Sequence, residues 1–253
     1  MTPPISESTV SSHGVGIVVR DHGGNGRAVV LLHGGGRTMD DWRAVVPRLS
    51  EAGLRVVTAD LRGHGRSGPG LWSWDAAVDD LTKVIAQTRL EDPAVVGHSL
   101  GGMVAAVWAA RHPECPLAVN LDGHTNPTGP FEGTDPEAAR RTMREFLDAS
   151  LRSAGDPALT RLIEEFDALD LLGTYAATRC RLVVVSTTGT GMEQLLPPEV
   201  AGAFTAYRRG FARALATVAV TTPLLTLVDF ATDHDVHLEA PDDVARLILD
   251  RLT

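Results

Sequence analysis

An apolar run that ends in Gly97-His98-Ser99-Leu100-Gly101 and passes at once into an Ala-rich segment constrains this chain more than any other stretch. After the turn Glu91-Asp92-Pro93, the residues Ala94-Val95-Val96 read as a short buried strand, and Met103 to Arg111 read as a helix. A glycine on each side of the serine lets the backbone turn sharply. The hydroxyl then stands above the strand end, and the N–H groups that follow open the helix. G-x-S-x-G recurs by chance in many chains, so the strand before it and the helix after it give the pattern its meaning. In that setting Ser99 is a candidate nucleophile. The alternative is an ordinary tight turn in which Ser99 only caps the helix.

The rest of the chain alternates strand and helix signals in the same way. Val15–Val19 reads as an opening strand, with Asp21–Gly26 as a hairpin turn into Ala28–Leu32. That second run is apolar throughout, which suits a strand buried on both faces of a parallel sheet. Leu54–Asp60, Pro116–Asp122, Arg181–Val185 and Leu224–Phe230 continue the series. Thr38 caps a helix that carries Trp42, Val45, Val46 and Leu49, and Pro197-Pro198 and Pro241 open the two late helices. The pattern predicts an α/β class with a doubly wound, mostly parallel sheet and functional groups at the strands' carboxyl ends. Between Asp122 and Arg181 the strand rhythm breaks. Two amphipathic helices are expected there, opened by Asp135-Pro136 and Asp156-Pro157. Residues 1–12, polar and with two prolines, read as a flexible N-terminal arm with no secretory signal pattern.

At 253 residues with 43% hydrophobic and 22% charged side chains, one large core is expected. A formal charge of -9 opposes nucleic acid or an anionic membrane as a partner, because both need clustered Lys and Arg. Cys115 and Cys180 are too few for a disulfide framework and read as free thiols in a cytoplasmic protein.

Four stretches, in order, resemble landmarks of the α/β-hydrolase family. They are Leu31-Leu32-His33-Gly34-Gly35-Gly36, Asp60-Leu61-Arg62-Gly63-His64-Gly65, the Ser99 turn, and His234-Asp235-Val236-His237-Leu238-Glu239-Ala240-Pro241. The resemblance runs over nearly the whole chain. It implies an α/β-hydrolase fold in which 13–253 form a single domain, with 123–180 as a helical cap insertion over the active site. The apolar faces of the two inserted helices then put Phe146 and Phe166 forward as substrate contacts. Packing on the sheet is the alternative use of those faces.

A serine hydroxyl is a poor nucleophile at neutral pH and needs a base within hydrogen-bond reach. The resemblance assigns that role to His234, with His237 as its rival, although Asp233 stands where the family usually has glycine. His33, His64, His98 and His124 fall in the lining or hydrogen-bond framework, and His98, Gly34 and Gly36 are placed against the substrate. Attack on an acyl carbon charges the carbonyl oxygen, which preorganised N–H donors stabilise. The resemblance implies the backbone N–H groups of Leu100 and Gly35 as this oxyanion hole, with Gly36 as the near alternative. The loop where most members carry the triad acid is Ser186-Thr187-Thr188-Gly189-Thr190-Gly191, which has no carboxylate before Glu193. Some members place the acid at the end of the preceding strand, where this chain has Asp122. Asp122 is therefore the expected acid and Glu193 its rival, whereas Asp60 is expected to bond loop N–H groups.

These assignments imply a serine hydrolase that needs no cofactor or metal. It would cleave an ester, lactone, thioester or amide of a small, largely apolar molecule through an acyl-enzyme. A perhydrolase or lyase on the same fold, and a non-catalytic small-molecule receptor, are the alternatives. Substrate identity and oligomeric state stay open at this point.

Overall fold

The computed structural model describes residues 5–124 and 129–252. Its eight strands are β1 (Ser6–Ser12), β2 (Val15–Asp21), β3 (Ala28–Leu32), β4 (Arg55–Ala59), β5 (Ala94–His98), β6 (Ala118–Leu121), β7 (Leu182–Thr187) and β8 (Leu225–Phe230). They form one sheet in the order β1-β2-β4-β3-β5-β6-β7-β8. β1 and β2 run antiparallel to their neighbours, and every other pairing is parallel. The helices are α1 (Val45–Glu51), which continues a 3-10 turn over Met39–Ala44, α2 (Trp74–Thr88), α3 (Leu100–Arg111), α4 (Pro136–Ala154), α5 (Pro157–Ala168), α6 (Leu171–Ala176), α7 (Gly191–Leu195), α8 (Pro198–Thr221), α9 (Val236–Glu239) and α10 (Pro241–Leu252).

Every residue of β3 and β5 is buried, as the apolar run of β3 and the Ala94-Val95-Val96 start of β5 require of central strands. Successive side chains point to opposite faces, so Val30 and Leu32 join one core and Val29 and Leu31 the other. Residues of α2, α3 and α8 complete the first core, and Trp42, Val45 and Leu49 with Val244 and Ile248 of α10 complete the second. Helix α3 is apolar nearly all round because it is buried nearly all round.

Two expectations are corrected. Residues Ser6–Ser12 are not part of a loose arm: they pair residue for residue with β2, and residues 1–4 lie outside the described residues. An edge strand with one solvated face is built from polar side chains, and in β1 only Val10 and Ser12 turn inward. The segment Asp21–Gly26 is likewise no hairpin turn, since β4 lies between β2 and β3. A central strand such as β3 needs a partner on each side, and the apolar β4 and β5 supply both.

The inserted helices begin where their Asp-Pro pairs predict. The carboxylates of Asp135 and Asp156 accept the N–H groups of Ala138 and Ala158, which satisfies orphan donors of the first turn. A third, short helix, α6, capped by Asp170, follows them. Helix α4 buries only Met143 fully, and α5 buries none of its residues fully. Helix α5 is tied to α2, where the Trp74 indole N–H donates to the Glu165 carbonyl at 2.8 Å and the Phe166 ring stacks on Trp74 at 5.7 Å, whereas α4 packs along α8. None of the helices among the described residues is long and apolar enough to cross a membrane.

The turn from β5 into α3 depends on backbone touching backbone. A methyl group at Gly97 would fall 2.0 Å from the Gly101 carbonyl oxygen, and one at Gly101 would fall 2.5 Å from the Leu32 oxygen. No side chain stands in the way that can move aside. Gly97→Ala and Gly101→Ala should each lower the unfolding free energy by about 3 kcal/mol or more, the upper range for overpacking. Gly202→Ala, where nothing lies within 4 Å of the added carbon, serves as the control. Urea unfolding checks this, and equal midpoints for Gly97→Ala and Gly202→Ala would contradict it.

Candidate active site

Ser99 occupies the turn between β5 and α3 with φ 50° and ψ −115°, outside the regions an ordinary residue adopts. Such a conformation costs on the order of 1–3 kcal/mol and persists only where its surroundings over-determine it. The close approach of Gly97 and Gly101 does so from beneath. The Ser99 N–H also donates to the Leu121 carbonyl at 2.9 Å, and the Ser99 carbonyl accepts from the Met103 N–H at 3.0 Å.

The loop His33–Gly36 lies across this turn. His33 accepts the Leu61 N–H through Nε2 at 2.9 Å, so its Nδ1 carries the proton and donates to the Gly34 carbonyl at 2.7 Å. A methyl at Gly34 would fall 3.2 Å from the Ser99 Cβ and one at Gly35 3.8 Å from Leu100, so the loop packs directly on the helix start. Gly36, at φ +70°, takes the third position of a turn closed by Arg37 N–H on the Gly34 carbonyl. Neither the Leu100 nor the Gly35 N–H meets an acceptor among the described residues. Arg37 pairs with Asp41 and lies 3.4 Å from Asp235 in the loop after β8.

Asp122 follows β6 with φ +53°, a region that aspartate tolerates better than most residues. The buried Asn120 side chain fixes the turn by accepting the Gly123 N–H at 2.7 Å and donating back to the Gly123 carbonyl at 2.9 Å. The Asp122 carboxylate accepts the Thr187 N–H at 3.0 Å, the Thr187 hydroxyl at 2.9 Å and His234 Nδ1–H at 2.7 Å. His124 Nε2 stands 3.3 Å from its other side. Burial alone would raise the pKa of this acid. The His234 bond, the two neighbouring imidazoles and the Thr187 N–H outweigh it and hold Asp122 well below the usual carboxylate range.

Of the expected site residues, the structure thus joins His234 to Asp122 and packs the Gly34–Gly36 loop on Ser99. It forms no Ser99–His234 hydrogen bond among the described contacts, a bond that often tightens only when substrate binds. His234 is held beside Ser99 through residue 98: its ring lies 4.7 Å from that of His98, whose Nε2–H donates to the His234 carbonyl at 2.9 Å. His98 is only 1% exposed, so it is part of the scaffold and not of the substrate surface expected for it.

The rivals named from the sequence lie in other surroundings. His237 is fully buried between Trp42 and His98, with ring centroids 4.8 and 4.3 Å away. Glu193 accepts from Arg208 of α8 at 2.7 Å. Asp60 has the structural duty predicted, accepting the N–H groups of Met39 and Arg66. Phe166 is spent on Trp74 and Phe146 packs against the main core, and neither lines the recess beside His234. That recess is lined instead by His124, Thr187, Met192, Phe204, Tyr207 and Arg208, together with Asp122 and His234. Sequence reading missed Thr187 and Arg208. Arg208 donates to the Thr187 and Gly189 carbonyls and so ties α8 to the loop that steadies Asp122. Only its place in the inward line of α8, one residue after Tyr207, hinted at this.

Burial pushes the pKa of His33 down to about 4 and that of His237 to about 3, and both rings are therefore neutral in the folded protein. In an unfolded chain each titrates near 6.5, so below that pH the unfolded state binds more protons and stability falls as the medium is acidified. Between pH 7 and 5 the loss should be on the order of 1–2 kcal/mol for each ring. Denaturant unfolding at the two pH values tests this, and a stability equal or higher at pH 5 would contradict it.

A family profile described as the alpha/beta hydrolase fold matches residues 27–174. The chain is 39% identical over 155 residues to a pimeloyl-[acyl-carrier protein] methyl ester esterase of Aromatoleum aromaticum, a match covering 57% of this chain and 56% of that protein. It is 37% identical over 109 residues to a bifunctional esterase/perhydrolase of Acinetobacter calcoaceticus, covering 42% of this chain and 39% of the relative. Both matches span less than two thirds of the relative's length. Among solved structures, the thioesterase domain from the curacin biosynthetic pathway superposes with a TM-score of 0.66 at 21% identity, covering 98% of this chain and 100% of the other, a likeness of fold. With the profile matched over more than half of its 253 residues, the chain belongs to the α/β-hydrolase fold family.

Proposed function

We propose that the protein is a serine hydrolase that cleaves an ester, lactone, thioester or amide of a small, largely apolar molecule through an acyl-enzyme. The observation that carries this reading is the 2.7 Å bond from His234 Nδ1–H to an Asp122 carboxylate that Thr187 also holds. A proton fixed on Nδ1 leaves Nε2 as the basic nitrogen of the neutral ring. In the proposed reaction Nε2 takes the Ser99 hydroxyl proton as Oγ attacks the acyl carbon. The carbonyl oxygen, now anionic, is received by the N–H groups of Leu100 and Gly35, and the leaving group departs with the proton from His234. Water then attacks the acyl-Ser99 ester with His234 as base, restoring the hydroxyl. No cofactor or metal takes part in these steps.

In this reading residues 123–180, with helices α4–α6, form the cap, and substrate choice falls to Met192, the exposed apolar side chain of the recess. Similarity to a protein named as an esterase/perhydrolase favours one second reaction on the same site: hydrogen peroxide in place of water would release a peracid and free Ser99.

Ser99→Ala should abolish turnover of activated acyl esters and labelling by a serine-directed phosphonate. Asp122→Asn should keep the fold and lower kcat on the order of ten-thousand-fold, because the amide permits the wrong imidazole tautomer. Glu193→Gln should cost far less, since its partner is Arg208. Steady-state kinetics with melting temperatures decide the matter: a folded, active Asp122→Asn beside an inactive Glu193→Gln would reverse the assignment of the acid.

A further inference from the structure

We infer that His98 is a positioning residue for the base: by donating Nε2–H to the His234 carbonyl, it fixes the loop that carries the imidazole against the strand end that carries Ser99. This rests on the proposed roles of Ser99 and His234 and gives a specific duty to a residue that the family resemblance places only in the lining or hydrogen-bond framework.

Residue 98 is the last of β5 and directly precedes the strained serine, so the glycine contacts that set the elbow also set His98. Its ring is 1% exposed and has no surface to offer a substrate. The acceptor of its one hydrogen bond, at 2.9 Å, is a carbonyl, so Nε2 must carry the proton. Nδ1 is then a bare lone pair, buried and without a partner. It faces the Gly34 backbone so closely that a methyl there would fall 2.8 Å away. All the polar work of the ring is therefore done through Nε2. Burial, with His237 and His234 beside it, holds the His98 pKa well below its ordinary value, so the ring is neutral at neutral pH and the carbonyl acceptor selects its Nε2–H form.

The mechanical consequence follows from what else holds His234. The Asp122 bond at Nδ1 fixes the rotation of the ring but not the position of its main chain. In the resting structure no hydrogen bond joins Ser99 to His234 among the described contacts. The bond from His98 closes that gap, and the buried rings of His237 and Trp42 pack behind it in tilted contacts, with centroids 4.3 Å apart for His98 and His237 and 4.8 Å apart for His237 and Trp42. The Asp235 carboxylate, 3.7 Å from the same Nε2, is the nearest competing acceptor.

The test compares His98→Leu, His98→Asn and His98→Gln, using an activated acyl ester and measuring kcat, KM and melting temperature. A misplaced base costs roughly a hundredfold, so His98→Leu should lose 10- to 100-fold in kcat with KM unchanged. Glutamine places an amide donor near the reach of Nε2 and should recover most of that loss. Asparagine reaches only as far as Nδ1 and should resemble leucine. A change confined to KM would make His98 a substrate contact and overturn the inference. Equal losses in Gln and Leu variants with equally lowered melting temperatures would reduce it to packing. If the variants fail to fold, nitrogen NMR of the unmutated protein decides: a slowly exchanging Nε2–H on His98 is expected, and an Nδ1–H tautomer overturns the proposal. Failure of the hydrolase reading looks different, because Ser99→Ala would then turn over substrate. An inactive Ser99→Ala beside a fully active His98→Leu sinks only the role of His98.

Discussion

The contact of Gly97 with Gly101, closer than any side chain allows, is the constraint on which the rest of the site depends. It lets α3 leave β5 at once and drives Ser99 into a conformation it would not otherwise hold. The helix start then packs, through Leu100, on the loop that follows β3, and residue 98 faces the loop that follows β8. Neighbouring strands of a sheet lie only about 5 Å apart, so groups at the carboxyl ends of β5, β6, β7 and β8 meet without long reaches. Asp122 from β6 touches both Thr187 at the end of β7 and His234 beyond β8.

Two departures from the commoner family pattern are physically linked. The loop after β7 lacks a carboxylate, and Asp233 stands in place of the glycine before His234. The Asp233 carboxylate fills the hollow left by Gly189 and Gly191, where any side-chain carbon would collide with it, and accepts the Gly191 N–H at 2.7 Å. The β7 loop is thus closed by an acid from the β8 loop, while its Thr187 steadies the acid on β6. Arg208 holds the same loop from α8, so a helix far along the chain supports the Asp122–His234 pair.

What the sequence made legible was what a short stretch encodes by itself. The elbow, the strand-end Asp122 and the His234 loop each carry their geometry within a few residues, as do the Asp-Pro helix starts. Other features were hidden because they depend on which elements meet. Ser6–Ser12 is polar since its partner covers only one face, and two strands separated by a Gly-rich loop look alike whether or not a third lies between them. Periodicity marks the apolar faces of α4 and α5 but not what they face, and Phe166 of α5 stacks on Trp74. The duties of His98 and Thr187 are hydrogen bonds across 136 and 65 residues of chain, which no local pattern records.

The central claim is that Ser99 carries the acyl group, and the most direct measurement is to trap it. Incubating the His234→Ala variant and the wild type with an activated acetyl ester, quenching in acid, and mapping peptides by mass spectrometry locates any acyl adduct. The account predicts a single acetyl group on Ser99, transient in the wild type. Turnover with no adduct on Ser99, or with the acyl group on another residue, would contradict it.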